Sequence, residues 1–211
     1  VLSVVVLISG SGSNLRALLE AADNPLFGAK IFAVGSDQAA SGLEHAELFG
    51  VPTFVVTPQN FASREAWADV LLENIQFFKP DLVVLAGFMR VLPPKFVATL
   101  SPNLINTHPS LLPAFPGAHA VRDALAARAS VTGVTVHVVD DGVDTGPRIA
   151  QRSVPILGDD SEHDLHERIK KVERELLVSV VSDIATGNLN LSETLAPLTP
   201  ALLSEGHQSV V

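Results

Sequence analysis

Along the first half of the chain, short runs of valine, isoleucine and leucine alternate with segments of helical period, and few folds accept that rhythm. The apolar runs are residues 4–8, 31–34, 53–56, 82–86 and 104–106, and the helical segments between them are 15–22, 41–49, 63–78 and 94–100. Helices of these lengths suit the crossovers that parallel strands require. The expectation is a doubly wound α/β fold, a mostly parallel sheet with helices on both faces. After Pro113 the rhythm changes to a helix over 119–128, strands over 134–139 and 148–154, and a long helix over 161–186. Two strands so close together predict an antiparallel extension of the same sheet. No repeat period and no linker rich in Gly, Pro and Ser divides the chain, so residues 1–188 read as one domain. Residues 189–211, with Pro197 and Pro200 among scattered leucines, read as a C-terminal tail, loose or packed on the surface.

At 211 residues and 47% hydrophobic, the chain can bury a substantial core. A formal net charge of −9 argues against a surface that coats nucleic acid. With no cysteine there is neither a disulfide nor a thiolate nucleophile, which fits a reducing compartment and makes the cytoplasm the default location. No segment reaches the roughly 18 uninterrupted apolar residues of a membrane span, and the first run lacks the charged flank and cleavage site of a signal peptide. Val1, in the place of an initiator methionine, reads as a trimmed start.

The stretch LISGSGSNLRALLEAA, residues 7–22, joins the first strand to the first helix through a Gly-Ser-Gly-Ser-Asn turn. Gly10 and Gly12 begin a GxGxxG-like pattern, but Leu15 stands at the third glycine position and Asp37 is a poor candidate for the ribose-binding acid. A dinucleotide site is disfavoured. Amides near Gly12, Ser13 and Asn14 at a helix start favour an anion, and a single phosphate suits them better. A tight turn with Ser13 or Asn14 as N-cap fits the same residues. Arg64, at the start of a helix in ASREAW, is a candidate cation or a solvated surface arginine.

The segment NTHPSLLPAFP, residues 106–116, puts Asn106 and His108 at the carboxyl end of an expected strand, where open α/β sheets keep their ligands. Strand alternation turns both side chains to the same side. Asn-x-His alone also fits a capped strand end. DDGVDTGP, residues 140–147, is a Gly-bearing loop with three carboxylates, of which Asp144 is placed to reach a histidine. A polar turn between strands would look the same.

Taken together, GSGSNL, SREA, LAGFMR, NTHPSLLP, DTGP and KKVERELL resemble the phosphoribosylglycinamide formyltransferase family over about residues 4–188. The resemblance implies a Rossmann-like formyltransferase fold and transfer of a formyl group from 10-formyltetrahydrofolate to the amine of glycinamide ribonucleotide in purine synthesis. It implies Asn106, His108 and Asp144 as the catalytic group. It assigns Gly12, Ser13, Asn14 and Arg64 to the substrate phosphate and Glu173 to the ribose hydroxyls. Met89, Arg90, Val91, Leu92, Asp140, Asp141, Gly142 and Val143 would surround the folate. The N-terminal half would thus hold the nucleotide phosphate, and the C-terminal half would add folate contacts and the catalytic Asp. Small molecules are the implied partners, without nucleic acid or membrane. The oligomeric state stays open, with a homodimer among the options. Ala114 and Val121 replace basic or polar residues of some family members, which bears on contacts to the folate tail.

The residue types suit that chemistry. As an amine attacks a formyl carbon, negative charge gathers on the formyl oxygen, and aimed donors stabilise it most. Asn106 offers a neutral donor, and His108 a charged one if the Asp144 carboxylate lies nearby. Protons would move through His108 or a water held by Asp144. Ser110 lacks the GxSxG elbow of a hydrolase nucleophile and reads as a turn residue. His163 and His166 have helical spacing but no zincin pattern or further ligands, so no metal is expected. His119 reads as a helix-start or surface residue, and His137, within a strand of valines, as structural. Methionyl-tRNA formyltransferase shares the Asn-x-His-Pro segment, but this chain is short for its tRNA-binding domain and acidic. Formyltetrahydrofolate deformylase, the main alternative, would lack the GSGSN turn. A non-catalytic binding module would not need the complete Asn, His and Asp set.

Overall fold

All residues from Val4 to Ile8 are fully buried, so β1 (Leu2–Ile8) lies inside a sheet covered on both sides. The chain, described over residues 1–194 by a computed structural model, adds β2 (Ala29–Ser36), β3 (Thr53–Val55), β4 (Leu82–Leu85), β5 (Leu104–His108), β6 (Val131–Val138) and β7 (Arg148–Pro155). The sheet order is β3-β2-β1-β4-β5-β6-β7. The first five strands are mutually parallel, and β6 is antiparallel to both β5 and β7.

Strand alternation divides the core into two layers. Val4, Val6 and Ile8 face α1 (Ser13–Ala22) and α6 (Glu162–Ala185), with smaller contributions from α2 (Leu43–Leu48) and α5 (Ala120–Ala126). Val5 and Leu7 face α3 (Arg64–Phe77) and α4 (Pro94–Leu100). Trp67, 1% exposed, anchors the second layer and donates its indole N–H to the Val56 carbonyl at 2.7 Å. Truncating such a side chain costs about 3–5 kcal/mol in well-packed cores.

The long helix starts where the sequence predicts. Ser161 Oγ accepts from the Asp164 amide at 3.1 Å and the Asp164 carboxylate returns to the Ser161 amide, a capping box. The first helix differs from expectation. Its N-cap is Gly12, at φ 69°, with no side-chain cap, and Ser13 and Asn14 already lie in the helix. Only glycine takes that left-handed conformation freely, so the cap position moves back by one residue. The start of the expected tail is ordered as α7 (Leu191–Thr194), with Leu191 buried at 5% exposure. The rest of that segment lies outside the described residues. Among these, no helix is long and apolar enough to cross a membrane.

Candidate active site

The strand order reverses between β1 and β4, so the connections leaving their carboxyl ends depart to opposite faces and open a crevice there. β5 runs beside it. Leu104, Asn106 and His108 alternate toward the α3 and α4 face, whereas Ile105 and Thr107 point to the α1 and α6 face. Thr107 Oγ1 donates to Glu173 Oε1 of α6 at 3.0 Å, and both residues are buried. One strand end therefore presents groups to both sides of the sheet.

Asn106, His108 and Asp144 come together. His108 Nδ1 lies 3.3 Å from Asp144 Oδ2, and the Nε2 is 2.9 Å from the Phe115 carbonyl. Both ring nitrogens thus face oxygen acceptors, an arrangement that a doubly protonated ring satisfies with two donors. Asp144 has a left-handed backbone, φ 56°, which aspartate tolerates better than most residues, and Phe115 is left-handed too, at φ 52°. The Gly117 amide donates to Asp144 Oδ2 at 2.8 Å. Burial pushes the Asp144 carboxyl up, but His137, the Gly117 amide and the charge of His108 outweigh it and hold the group below the usual aspartate value of 3.8.

The third partner of Asp144 is His137, read from the sequence as structural. Its Nε2 lies 3.6 Å from Asp144 Oδ1 and 3.3 Å from Asn106 Nδ2, and its Nδ1 is 2.9 Å from the Val138 carbonyl. With Nδ1 beside that carbonyl, Nε2 faces both the Asn106 amide and the Asp144 carboxylate, so the ring bridges the two and fixes their orientation. The pairing of Asn106 with His137 across β5 and β6 creates the contact. Only the register of an antiparallel pair could have revealed it.

Asn106, His108, His137 and Asp144 form one wall of a cavity of about 300 Å³ on the α4 side. Leu85, Phe88, Leu92 and Val97 supply apolar surface, and Met89, Arg90, Val91, Asp140, Gly142 and Val143 complete the rim. Of the residues expected around the folate, only Asp141 does not line it. Asp140 Oδ1 shapes the loop by accepting from the Gly142 amide at 3.1 Å and the Thr145 hydroxyl at 2.7 Å. Thr135 of β6 pins the Asn-x-His-Pro segment from beneath: its hydroxyl donates to the Ser110 carbonyl at 2.7 Å and accepts from the Leu112 amide at 3.0 Å. Ser110 Oγ donates to the Ala114 carbonyl, which makes it a turn residue.

Across the sheet, and among the described residues, the amides of Ser13, Asn14 and Leu15 find no partner outside α1 and the Oδ1 of buried Asn14 has none. Gly42 buttresses this turn, its amide donating to the Gly10 carbonyl at 3.0 Å. Glu173 lies on the same face, and Ser13 and Arg174 line one groove between α1 and α6. The structure does not bring Arg64 there. Arg64 starts α3, on the opposite face, where it lines a recess with Phe61, Trp67, Met89, Arg90 and Val91. The helix it begins packs on the other core layer, which the motif ASREAW does not disclose. Asp37, the poor candidate for a ribose acid, instead pairs with Arg90. His119, His163 and His166 are exposed, and Val121 is buried on the core face of α5.

Residues 2–181 match the formyl transferase family. The chain is 51% identical over 185 residues to phosphoribosylglycinamide formyltransferase of Mycobacterium tuberculosis (strain H37Rv), covering 87% of this chain and 85% of that protein. It is 42% identical over 196 residues to the enzyme of the same name from Escherichia coli (strain K12), covering 92% of each. Among solved structures, glycinamide ribonucleotide transformylase 1 from Symbiobacterium toebii superposes with a TM-score of 0.87 at 40% identity, covering 90% of each chain.

Proposed function

The chain belongs to the formyl transferase family, and from that premise we propose that it transfers the formyl group of 10-formyltetrahydrofolate to the amine of glycinamide ribonucleotide, yielding formylglycinamide ribonucleotide and tetrahydrofolate for purine synthesis. One observation carries the reading: Asn106, His108 and Asp144 meet where a helix N-terminus on one face and an apolar cavity on the other converge. Two small substrates approaching from opposite faces would meet at the end of β5. Residues 1–188 act as one unit in this scheme, and small charged substrates fit a cytoplasmic site of action.

The free amides of Ser13 and Asn14 after Gly12 suit the phosphate, because an uncapped helix N-terminus carries partial positive charge. Glu173, with one oxygen committed to Thr107, keeps acceptor capacity for ribose hydroxyls. The apolar walls of Leu85, Phe88, Leu92 and Val97 suit the flat pterin, and the Met89–Leu92 and Asp140–Val143 segments offer polar edges. Arg64, beside Met89 to Val91, suits the carboxylates at the far end of the folate rather than the phosphate.

In the reaction the amine nitrogen bonds to the formyl carbon, the bond from that carbon to folate N10 breaks, and one proton passes from amine to N10. Asn106 supplies a neutral donor to the formyl oxygen as charge gathers on it. His108 supplies a charged one once its Nε2 exchanges the Phe115 carbonyl for substrate. Asp144 keeps His108 oriented and its own carboxylate ionised, so it can accept a proton from the amine through water.

The test is folate release from formyl-folate with and without glycinamide ribonucleotide. Release that depends on the ribonucleotide, with the formyl group recovered on its amine, is expected. Release without any amine acceptor would identify a deformylase instead.

A further inference from the structure

Asp37 follows the last residue of β2 and is 1% exposed, yet the pairing it makes serves no core. Its Oδ2 accepts from Arg90 Nε at 2.6 Å, joining the end of β2 to the loop after β4. Its Oδ1 is buried with no partner among the described residues. A buried carboxylate with an unsatisfied oxygen costs stability, so folding alone does not account for it. Arg90, with 38% of its side chain exposed, lines both the cavity beside His108 and the recess that holds Arg64. Only its Nε is engaged, and among the described residues both Nη groups make no hydrogen bond. The surrounding backbone is fixed as well: Ser9 Oγ accepts from the Met89 amide at 2.8 Å, and the Ser9 carbonyl accepts from Gln38 Nε2 at 2.6 Å.

We infer that Asp37 is a positioning residue of the formyl-folate site, clamping Arg90 so that its two free Nη groups are held for the carboxylates of the folate tail where the cavity meets the recess. The inference rests on the formyl-transfer reading above. A long arginine left unclamped must be ordered on binding, and a guanidinium fixed through Nε offers its outer edge as a ready fork for a carboxylate. The Arg90 side chain alone would be expected to bind an anion. Asp37 makes it do so without that ordering cost.

The test compares two co-substrates, formyl-folate with its glutamate and a formyl-pteroate analogue lacking it. With formyl-folate, Asp37→Asn should raise KM roughly tenfold, the scale of one charge-assisted contact, while kcat and the KM for the ribonucleotide change less than about twofold. With the analogue, KM should be the same in both proteins. Arg90→Lys, which keeps a positive charge beside Asp37 but removes the guanidinium fork, should show the same tail-specific loss, and adding Asp37→Asn to it should cost nothing more. Equal losses for both co-substrates would mean a merely structural role and overturn the inference. So would a lower KM, which would show that Asp37 only mutes the charge of Arg90. If the unaltered enzyme gives no acceptor-dependent transfer, the proposed function itself falls; if it does and only the tail effect is missing, this inference alone falls.

Discussion

Asp144 sits between two imidazoles, and its ionisation sets what each can do. With its carboxyl held below 3.8, it stays charged throughout the neutral range and offers Oδ2 to His108 and Oδ1 to His137. Replacing it with asparagine should lower kcat, and because it works largely through His108, the Asp144→Asn/His108→Ala double variant should lose less than the product of the single losses. Asn106→Ala should lower kcat by about 100- to 1000-fold, as removal of other oxyanion donors does, with both substrates still bound. Turnover that survives Asn106→Ala in steady-state assays would remove the amide from the chemistry. Asn106 and His108 were legible because a strand end fixes which side two alternate residues share. His137 was not, since a histidine among valines shows the same alternation whether its face meets core or carboxylate. Arg64 was legible as a cation but not in its place, which depends on the layer its helix joins.

Elements carry the two substrates to that point, and the turn before α1 depends on a neighbour distant in sequence. A Cβ on Gly42 would stand 2.8 Å from the Gly10 carbonyl and 2.9 Å from Gly12 Cα, both of them backbone atoms that cannot swing aside. Gly42→Ala should therefore displace the turn, raising the KM for glycinamide ribonucleotide severalfold and costing about 1–3 kcal/mol of stability by overpacking. The KM for formyl-folate, bound on the other face, should stay put; a parallel rise would mean that the whole sheet end has shifted. Every long strand and helix was legible from period, because the central strands are buried on both faces and the helices on one. The start of β6 at Val131 was not, since Gly133 weakens the strand signal. It stands where a side chain would strike the Arg152 carbonyl and Leu111, a requirement visible only once β7 and the Asn-x-His-Pro segment are in place.

At the scale of the whole molecule, acid stability follows from carboxylates that folding makes more acidic. Asp81 is lowered first by the Ser3 amide and hydroxyl, Asp160 to about 2 by the Arg168 guanidinium, Asp164 by Ser161 of the capping box, and Glu167 by Lys170, while Asp144 is lowered as described. A group of depressed folded pKa stabilises fully above its unfolded value, 3.8 for aspartate and 4.5 for glutamate, because there the unfolded chain has already given up the same proton. As pH falls below those values, the unfolded chain takes protons that the folded one refuses, and the contribution drains away until the folded group titrates too. The melting temperature should therefore be insensitive to these groups above about pH 5 and fall steeply between there and pH 2. Asp160 isolates the effect. Its two oxygens take the Arg168 guanidinium at 2.6 and 2.7 Å, bracing the loop before α6, and Asp160→Asn should lower the melting temperature at pH 7. The difference from the unaltered protein should shrink through that acid window and vanish near the folded value. A gap that stayed constant from pH 7 to pH 2 in calorimetry would show that the asparagine acts by shape alone, with no ionisation linked to folding.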